Sequence, residues 1–461
     1  MSAPSANPGS FRDPSGRVHH AGNRVFRTIG VTAAAEYEAA RDQGILSKYA
    51  KKHVLIDCQE VAAESVGLAS RSTAYVVEHP RIPFISYPYE WSFSLLKEAA
   101  LCHLTLQCDL LDDGFVLSDA TAYNVQFDGT RPIFIDLLSI RKYRDGEYWL
   151  AHNQFCEQFL NPLLLRAYVG VPHNDWFRGR LEGIPSDAIS RMLPFYRKLS
   201  FRMLTHVVAP AKIQSRTESR HSAKSIKRPL PRSAYRALLQ HLRRWIAALQ
   251  PAGSGTQWQD YEEFHSYSQT EEQAKKDFVE EFVTATKPGM LWDLGCNTGA
   301  YSEIALRAGA RKVTGFDFDH GAIDRAAARA TNKKLDLLPL FLDGANPSPS
   351  QGWAQRERMG LSERGNADAM LALAFIHHLV IGKNIPLDDA VDWLTSLAPR
   401  GLIEFVQKDD PTVREMLALR EDIFNEYTEE SFMRSLSKRA KVAMTRRNPD
   451  NGRLLVVFER D

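Results

Sequence analysis

The stretch Gly289–Ala330 constrains the fold more than any other part of this 461-residue chain. Its sequence is GMLWDLGCNTGAYSEIALRAGARKVTGFDFDHGAIDRAAARA. The apolar run Leu291–Leu294 predicts a buried strand, and Tyr301–Ala308 predicts the helix that follows it. Between them, Gly295 and Gly299 allow a tight turn and a close approach of the backbone to a ligand, because glycine has no Cβ atom. The stretch therefore predicts the start of a doubly wound α/β domain with a ligand site at this turn.

Acidic residues follow two successive predicted strands. Asp293 lies near the end of the first strand, and Asp317 ends the second strand, where a carboxylate can accept hydrogen bonds from ribose hydroxyls. A dinucleotide fingerprint would read GxGxxG, whereas the order here is Asp293-x-Gly295-x-x-x-Gly299. This pattern resembles the class I S-adenosylmethionine-dependent methyltransferases. The resemblance implies a Rossmann-like fold, S-adenosylmethionine as cofactor and methyl transfer as the reaction.

The resemblance spans nearly the whole C-terminal region. LLPLFLDGANP resembles the third strand of the family, ADAMLALAFIHHLV the fourth, RGLIEFVQKDD the fifth and RLLVVFERD the closing strand. Carried over residue by residue, it implies a cofactor site and three candidate catalytic residues. The predicted cofactor-binding residues are Asp293, Gly295, Cys296, Asn297, Gly299, Asp317, Phe318, Asp343, Gly344 and Ala374. The predicted catalytic residues are His377, His378 and Glu404.

Methyl transfer is an in-line displacement that depends mainly on proximity and alignment. A general base is needed only if the acceptor carries a proton when it attacks. His377, His378 and Glu404 can supply that base, but the two histidines can equally be scaffolding near the cofactor, and Glu404 can anchor a loop. Tyr267 and Lys275, which precede the domain, can close over the cofactor or simply start an exposed helix.

A second motif lies in the N-terminal half. SFSLLKEAALCHLTLQCDLLDDGF predicts a helix that Ser92 or Ser94 caps. It is followed by LSDATAYNVQFDGTRPIFIDLLSI, in which two alternating apolar runs flank DGTRP and predict a β-hairpin. In such a hairpin Asn124 lies opposite Asp136, and oxygen-bearing side chains at this distance suit a hard cation such as Mg²⁺.

This order of helix, loop acid, asparagine, hairpin and second acid resembles the core of the aminoglycoside phosphotransferases and protein kinases. The resemblance implies that Asp119 is the base or substrate-orienting acid and that Asn124 and Asp136 are the metal ligands. The sequence departs from the family, since no histidine precedes Asp119 and neither a glycine-rich loop nor a phosphate-binding lysine is evident. Arg24, Arg27 or a lysine of ILSKYAKKHV could replace that lysine, and the sequence does not select among them. We therefore expect an α+β kinase-like domain that recognises substrate, with phosphotransferase activity as the alternative.

Several stretches together resemble a bacterial family of class I methyltransferases, some of whose rhizobial members are described as host-specific nodulation proteins. These stretches are YPYEWSFSLLKEAAL, ATAYNVQF, PIFIDLLS and IEFVQKDDPTVREMLALREDIFNEYTEESF. The resemblance implies a small-molecule or glycolipid acceptor. Three alternatives remain open: a bifunctional enzyme with ATP-binding or phosphotransferase activity, a non-catalytic scaffold that holds S-adenosylmethionine, and a nucleic-acid methyltransferase that uses the basic connector.

Composition and charge bound the remaining possibilities. The chain is 44% hydrophobic and 25% charged with a net charge of +2, which gives no global field for nucleic acid. No apolar run is long enough to span a bilayer, and the five cysteines form no CxxC pair, so we expect a cytoplasmic protein without a zinc site. The predicted segments are a flexible leader (1–23), a kinase-like recognition domain (24–206), a basic helical connector (207–257) and a methyltransferase domain (258–461).

Overall fold

The computed structural model describes residues 3–208, 229–253, 269–365, 367–418, 420–448 and 450–460. The chain forms two compact units, which we call the N-terminal unit and the C-terminal unit. The N-terminal unit comprises Met1–Trp258 and Ser350–Arg358, and the C-terminal unit comprises Gln259–Pro349 and Met359–Asp461.

Five antiparallel strands form the first sheet of the N-terminal unit, in the order β1-β2-β3-β5-β4. They are β1 (Ser5–Ala6), β2 (Gly16–Ala21), β3 (Arg24–Gly30), β4 (Gln59–Val61) and β5 (Thr73–His79). This corrects the prediction of a flexible leader over 1–23, because β2 pairs with β3 along its whole length. The hydrogen bonds of a strand depend on its partner, so the Ser, Pro and Gly content of this segment did not reveal them.

The described helices of this unit are mostly short. They are α1 (Ala34–Asp42), α2 (Ile45–Lys51), α3 (Phe93–Asp112), α4 (His152–Phe155), α5 (Asn161–Leu164), α6 (Asn174–Gly179), α7 (Ser186–Met192), α8 (Phe195–Lys198), α9 (Phe201–Met203) and α10 (Arg232–Ala248). π-Helical segments cover Cys156–Leu160, Leu165–Val169 and Leu204–Val208. The predicted cap of α3 is confirmed, since Ser92 Oγ accepts a hydrogen bond of 3.2 Å from the backbone N–H of Leu95.

The predicted hairpin is also confirmed. It consists of β7 (Val125–Asp128) and β8 (Arg131–Phe134), while β6 (Phe115–Leu117) pairs with β9 (Ile140–Lys142). The turn contains Gly129 with a φ of +58°, a left-handed conformation that glycine adopts without steric cost.

The predicted connector is corrected in its described part. Helix α10 belongs to the N-terminal unit, where it packs against α3. Gln107 Nε2 donates a hydrogen bond of 2.8 Å to the Tyr235 hydroxyl, and the Arg236 guanidinium donates two hydrogen bonds to the Asp112 carboxylate, at 2.8 and 2.9 Å. The apolar stripe of α10 is buried, as its helical spacing predicts, whereas residues 209–228 of the basic segment lie outside the described residues.

The segment Ser350–Arg358 also belongs to the N-terminal unit, so 258–461 is not one continuous domain as predicted. Arg12 donates to both carboxylate oxygens of Glu357, at 2.7 and 3.0 Å. The Arg358 guanidinium lies 4.0 Å from the centroid of the Tyr123 ring. Both contacts join residues that are far apart in sequence. Composition and periodicity cannot predict such contacts.

A seven-stranded sheet forms the centre of the C-terminal unit, in the order β12-β11-β10-β13-β14-β16-β15. Its strands are β10 (Met290–Leu294), β11 (Lys312–Asp317), β12 (Leu337–Phe341), β13 (Ala369–Ala372), β14 (Arg400–Phe405), β15 (Lys441–Arg447) and β16 (Leu454–Glu459). The first five are parallel, and β16 runs antiparallel to both β14 and β15. The prediction of six strands here is confirmed, and β15 is an additional edge strand.

The described helices of this unit are α11 (Gln269–Thr286), α12 (Ala300–Arg307), α13 (His320–Lys333), α14 (Leu387–Ser396), α15 (Pro411–Leu417) and α16 (Glu429–Ser437). Apolar strand residues such as Leu291, Val313 and Leu371 are fully buried with Phe278 and Val279 of α11 in one core. Burying each such side chain contributes about 1.5–3 kcal/mol. Because parallel strands all point the same way, the residues that follow β10 to β14 share one edge of the sheet, where ligands bind in open α/β folds.

Candidate active site

The turn between β10 and α12 has the backbone geometry of a ligand-binding loop. Gly295, Asn297 and Gly299 have φ angles of +76°, +49° and +76°. The backbone N–H groups of Gly295 and Cys296 donate to the Phe316 carbonyl oxygen, at 2.8 and 3.0 Å. These bonds hold the turn against the end of β11.

The turn packs closely against Phe375 and against Gly315 of β11. A Cβ atom at position 295 would lie 3.2 Å from Phe375 Cδ2. The Cys296 thiol is buried on the opposite side, against Gly315 of β11, where burial raises the pKa of the thiol. This geometry fits a cofactor contact through the Cys296 backbone, which is the contact that the turn predicts.

Asp293 is a buried carboxyl beneath the turn. Ser302 Oγ donates a hydrogen bond of 2.6 Å to Asp293 Oδ2. Burial, together with the negative charge of Asp317, raises the pKa of Asp293 to about 6. A cation bound nearby would therefore stabilise the ionised form of this carboxyl.

Asp317 ends β11 and organises the two loops around it. Its Oδ2 accepts a hydrogen bond of 2.8 Å from the Asn297 N–H, and its Oδ1 accepts one of 2.9 Å from the Asp319 N–H. Burial raises the pKa of Asp317. The next residue, Phe318, exposes 62% of its surface and presents a ring at this edge of the sheet. An acid and an apolar ring side by side suit the ribose and the base of an adenosyl group.

Asp343 and Gly344 follow β12. Asp343 Oδ1 accepts a hydrogen bond of 3.0 Å from the Ala345 N–H, and Lys383 Nζ lies 3.6 Å from Asp343 Oδ2. A Cβ atom at position 344 would lie 2.7 Å from Phe375 Cζ, so only glycine fits beneath this ring. Phe375 is therefore a residue that the sequence motif did not single out, although it contacts both predicted glycine positions.

The loop after β13 contains Ala374, a non-glycine residue at a φ of +48°. It is followed by His377 and His378, whose ring centroids lie 4.2 Å apart. His377 is 1% exposed, and neither of its ring nitrogens has a hydrogen-bond partner among the described residues. Burial lowers the pKa of His377 to about 3. The His378 ring is exposed and lies 6.4 Å from the ring of Phe318.

Glu404 lies in a buried network of charges at the end of β14. Lys275 Nζ is 2.5 Å from Glu404 Oε2, and Arg453 Nη1 is 3.7 Å from Glu404 Oε1. Arg453 Nε in turn lies 2.7 Å from Asp410 Oδ2. Sequence reasoning did not single out Arg453 or Asp410. Arg453 directly precedes the antiparallel strand β16, and Asp410 lies in the loop after β14. Tyr267, the other residue predicted near the cofactor, lies outside the described residues.

The three kinase-like candidates of the N-terminal unit lie together. Asn124 Nδ2 is 3.4 Å from Asp119 Oδ2 and 3.3 Å from Asp136 Oδ2. The Arg27 guanidinium, from β3, forms an ion pair with Asp136. Burial and the charge of Asp136 raise the pKa of Asp119. Asp13, in the loop between β1 and β2, also has a raised pKa through burial and the charge of Asp136, so it faces the same group.

Comparison with known proteins identifies the kind of domain that the C-terminal unit contains. A family model described as "Methyltransferase domain" matches residues 292–403, which run from β10 to β14. Among solved structures, the chain is similar to magnesium protoporphyrin IX methyltransferase (ChlM) from Synechocystis PCC 6803 with bound SAH. The identity is 19%, the match covers 41% of this chain and 84% of that chain, and the TM-score is 0.30. The N-methyltransferase NodS from Bradyrhizobium japonicum WM9 is also similar, with 14% identity over 42% of this chain and 98% of that chain and a TM-score of 0.32. The match of the methyltransferase model to β10–β14, together with the sheet order and the glycine turn, makes the C-terminal unit a class I S-adenosylmethionine-dependent methyltransferase domain.

A curated relative matches nearly the whole chain. It is nodulation protein NoeA of Rhizobium meliloti (strain 1021), which is 49% identical over 456 residues, covering 98% of this chain and 95% of the relative. The ribosomal protein L11 methyltransferase of Shewanella sp. (strain W3-18-1) is 44% identical over only 57 residues, or 20% of its length. The chain therefore belongs to the family of nodulation protein NoeA. Within the described residues, no helix combines the length and the apolar character needed to cross a lipid bilayer.

Proposed function

We propose that this methyltransferase modifies an oxygen or nitrogen atom of a small-molecule or glycolipid acceptor. The observation that carries the proposal is the exposed His378 ring, beside the exposed Phe318 ring at the edge of the sheet where the cofactor turn lies. A neutral imidazole in this position can take the proton that a hydroxyl or amine acceptor loses. The relation to a nodulation protein over nearly the whole chain supports the acceptor class.

The cofactor, when bound, supplies an electrophilic methyl group on a sulfonium centre. Asp317 would hold the ribose hydroxyls, and the ionised form of Asp293 would favour the positive charge of the cofactor. His378 would accept the proton of the acceptor. The buried ion pair between Glu404 and Lys275 supports an anchoring role for Glu404, and the buried, unpartnered ring of His377 supports a scaffolding role beneath His378.

A labelling experiment tests the acceptor class. The full chain is incubated with S-adenosylmethionine carrying an isotopically labelled methyl group and with separate bacterial fractions of polar metabolites, glycolipids, protein and RNA. We expect label in the metabolite or glycolipid fraction, and loss of that label in the His378→Ala variant with little change in cofactor affinity. Label confined to protein or RNA would contradict the proposal, and cofactor binding without product in any fraction would favour a non-catalytic scaffold.

Cofactor affinity is expected to depend on pH through Asp293. The pKa of this carboxyl is raised to about 6 by burial, so the free protein carries the proton below that pH. A bound cation favours the carboxylate, and binding therefore releases the proton. Affinity should increase about ten-fold per pH unit as the pH rises towards 6 and level off above it.

Calorimetric titration between about pH 5 and about pH 8 measures this dependence. Asp293→Asn should remove most of it, whereas Asp343→Asn, at the end of the neighbouring strand β12, should keep it. The pKa of Asp317 is also raised by burial, so a residual dependence is expected from that group. An unchanged dependence in Asp293→Asn would exclude this residue as the source.

As a second function, we propose that the N-terminal unit has a degenerate kinase-like fold that binds a magnesium nucleotide. The convergence of Asp119, Asn124 and Asp136, with Arg27 on the facing strand, supports it. Oxygen ligands of this kind suit Mg²⁺, and an arginine can pair with phosphate oxygens. The ion pair between Arg27 and Asp136 would have to open as the metal binds.

Calorimetry of the full chain with ATP and Mg²⁺ tests the second function. We expect Asp136→Asn to weaken Mg²⁺-dependent ATP binding at least about ten-fold, which corresponds to losing one charge-assisted contact of about 1.4 kcal/mol. Affinity for S-adenosylmethionine should not change. Asp128→Asn, in the hairpin turn of the same unit, is the matched control and should bind ATP normally. If the unmodified chain binds no ATP, this second function is excluded.

A further inference from the structure

Three metal-binding side chains meet inside the N-terminal unit, away from the sites described above. They are His152 in α4, Cys156 at the start of the next π-helical segment, and His206 in the π-helical segment Leu204–Val208. Each offers one ligand atom, and these atoms all lie within 4.8 Å of one another. No other group of this kind occurs among the described residues that were compared for metal-ligand spacing.

The distances fit the edges of a coordination tetrahedron. His152 Nε2 lies 2.9 Å from His206 Nδ1, and Cys156 Sγ lies 3.7 Å from His152 Nε2. Around zinc, with Zn–N distances of about 2.0–2.1 Å and a Zn–S distance of about 2.3 Å, tetrahedral angles require about 3.3 Å between two nitrogens and about 3.6 Å between nitrogen and sulfur. The distance between Cys156 and His152 already matches this geometry, the two imidazole nitrogens must move apart by about 0.4 Å, and the Cys156 and His206 ligand atoms, which lie within 4.8 Å of each other, must come to about 3.6 Å.

The protein holds these side chains in place before any metal arrives. Cys156 and His206 are fully buried, and His152 is half-buried. His152 and Cys156 are four residues apart, so they project from the same side of the helical segment. Trp149 contacts the His152 ring and Trp245 of α10 contacts the His206 ring, with ring centroids 5.5 and 6.1 Å apart.

The protonation states of the two histidines suit metal binding, whereas Cys156 must lose a proton to bind. Burial lowers the pKa of His152 to about 4 and that of His206 to about 3, so both rings are neutral near pH 7. A neutral imidazole presents a nitrogen lone pair, which is the form that binds metal. Burial raises the pKa of the Cys156 thiol, which must lose its proton when it becomes a ligand.

We propose that His152, Cys156 and His206 bind one zinc ion, with a water molecule in the fourth position. The mixture of one sulfur and two nitrogen ligands favours zinc over magnesium or calcium, which take oxygen ligands. The charges balance as follows: Zn²⁺ replaces the thiol proton, one proton is released to solvent, and one imidazole moves its N–H to its other ring nitrogen. The resulting site carries a single positive charge.

The site would act as a clamp in the fold. His152 and His206 are 54 positions apart in sequence, and a shared metal would tie the helical segment after α9 to α4. The prediction of no zinc site from cysteine spacing does not bear on this cluster, because only one of its ligands is a cysteine. The competing explanation is a hydrogen-bonded pair of neutral histidines beside an inert thiol, and it makes different predictions.

Cobalt substitution distinguishes the two explanations. The full chain is produced without a polyhistidine tag, treated with a chelator, dialysed and titrated with Co²⁺. Bound at this site, cobalt should give a thiolate-to-metal charge-transfer band and the strong visible bands of tetrahedral coordination, saturating at one ion per chain. Zinc should abolish both bands by competition and should raise the thermal midpoint of the chelated protein.

Two variants and one control complete the test. Cys156→Ser should lose the charge-transfer band, and His206→Gln should weaken cobalt binding at least about ten-fold, since it removes one of three protein ligands. Cys108→Ser removes another buried thiol of the same unit and should leave the spectrum unchanged. Absence of the charge-transfer band in the unmodified chain, or its persistence in Cys156→Ser, would overturn the proposal. The titration of the unmodified chain remains decisive even if a variant does not fold.

Discussion

Asp317→Ala is expected to weaken S-adenosylmethionine binding at least about 100-fold. Each hydrogen bond to a charged group contributes about 1.5–3 kcal/mol, and a carboxylate at this strand end can accept one from each ribose hydroxyl. The change also removes the acceptors of the Asn297 and Asp319 N–H groups, which hold the loops on either side of the cofactor position. Calorimetric titration with S-adenosylhomocysteine measures the loss without requiring an acceptor.

The matched control for Asp317 is Asp336→Ala. Asp336 lies just before β12, its side chain is largely exposed, and its Oδ1 lies 3.6 Å from Lys312 Nζ. We expect cofactor affinity to stay within about two-fold of the unmodified protein, since exposed ion pairs contribute little. Equal losses in both variants would mean that the effect comes from general destabilisation, and unchanged affinity in Asp317→Ala would contradict a ribose contact.

Lys275→Met is expected to lower the free energy of unfolding of the C-terminal unit by about 3–5 kcal/mol, because it leaves the buried Glu404 carboxylate without its closest cation. Both side chains of this ion pair are less than 10% exposed. Arg453 Nη1, at 3.7 Å from Glu404, compensates only partly, since Arg453 also binds Asp410. Equilibrium denaturation in urea measures the change.

A double variant separates the lost ion pair from the lost packing. Lys275→Met combined with Glu404→Leu should recover most of the stability, since replacing both members of a buried pair by apolar residues is often neutral. Lys276→Met is the control on the same helix, because Lys276 pairs with Glu272 at the surface, where such a pair contributes about 0.3–0.5 kcal/mol. If the double variant is no more stable than Lys275→Met, charge burial is not the cause.

Much of the C-terminal unit could be predicted from the sequence, because its signals are local. Apolar runs with glycine or acidic residues at their ends predict buried parallel strands, and Gly295 and Gly299 do adopt the left-handed backbone that only glycine tolerates easily. The edge strand β15 was missed. It is largely exposed and reads KVAMTRR, without the apolar continuity of its neighbours.

The candidate site was less accessible to sequence reasoning. The motif predicted Asp293 and Asp317, which the turn and the strand end hold close together. It did not predict Phe375, whose ring packs over positions 295 and 344, or the charges of Arg453 and Asp410 behind Glu404. Packing and ion pairs of this kind join residues that are distant in the chain, so no local pattern records them.

In the N-terminal unit, too, local features could be predicted from the sequence and contacts between distant residues could not. Alternating residues on either side of DGTRP predicted the hairpin. Its register differs from the prediction by one residue, because Val125 pairs with Phe134 and the Ile135 N–H donates to the Asn124 carbonyl oxygen, so Asn124 lies opposite Ile135. The Asn124 side chain still reaches Asp136, with Nδ2 3.3 Å from Oδ2. The composition of the first 23 residues predicts a flexible leader, whereas β2 pairs with β3 in the structure. Pairing between strands depends on the backbone hydrogen-bonding groups of the partner strand. Only the tertiary structure shows which strand is the partner.

The amino-acid sequence by itself determined the class of enzyme and the glycine turn that we propose binds its cofactor, because backbone freedom and strand-end acids are properties of neighbouring residues. The tertiary structure alone decided which charges are buried together, as in the pair of Lys275 and Glu404, and which ligands meet, as in His152, Cys156 and His206. The physical reason is that desolvation and ligand geometry depend on distances through space, and chain folding sets those distances between residues far apart in sequence.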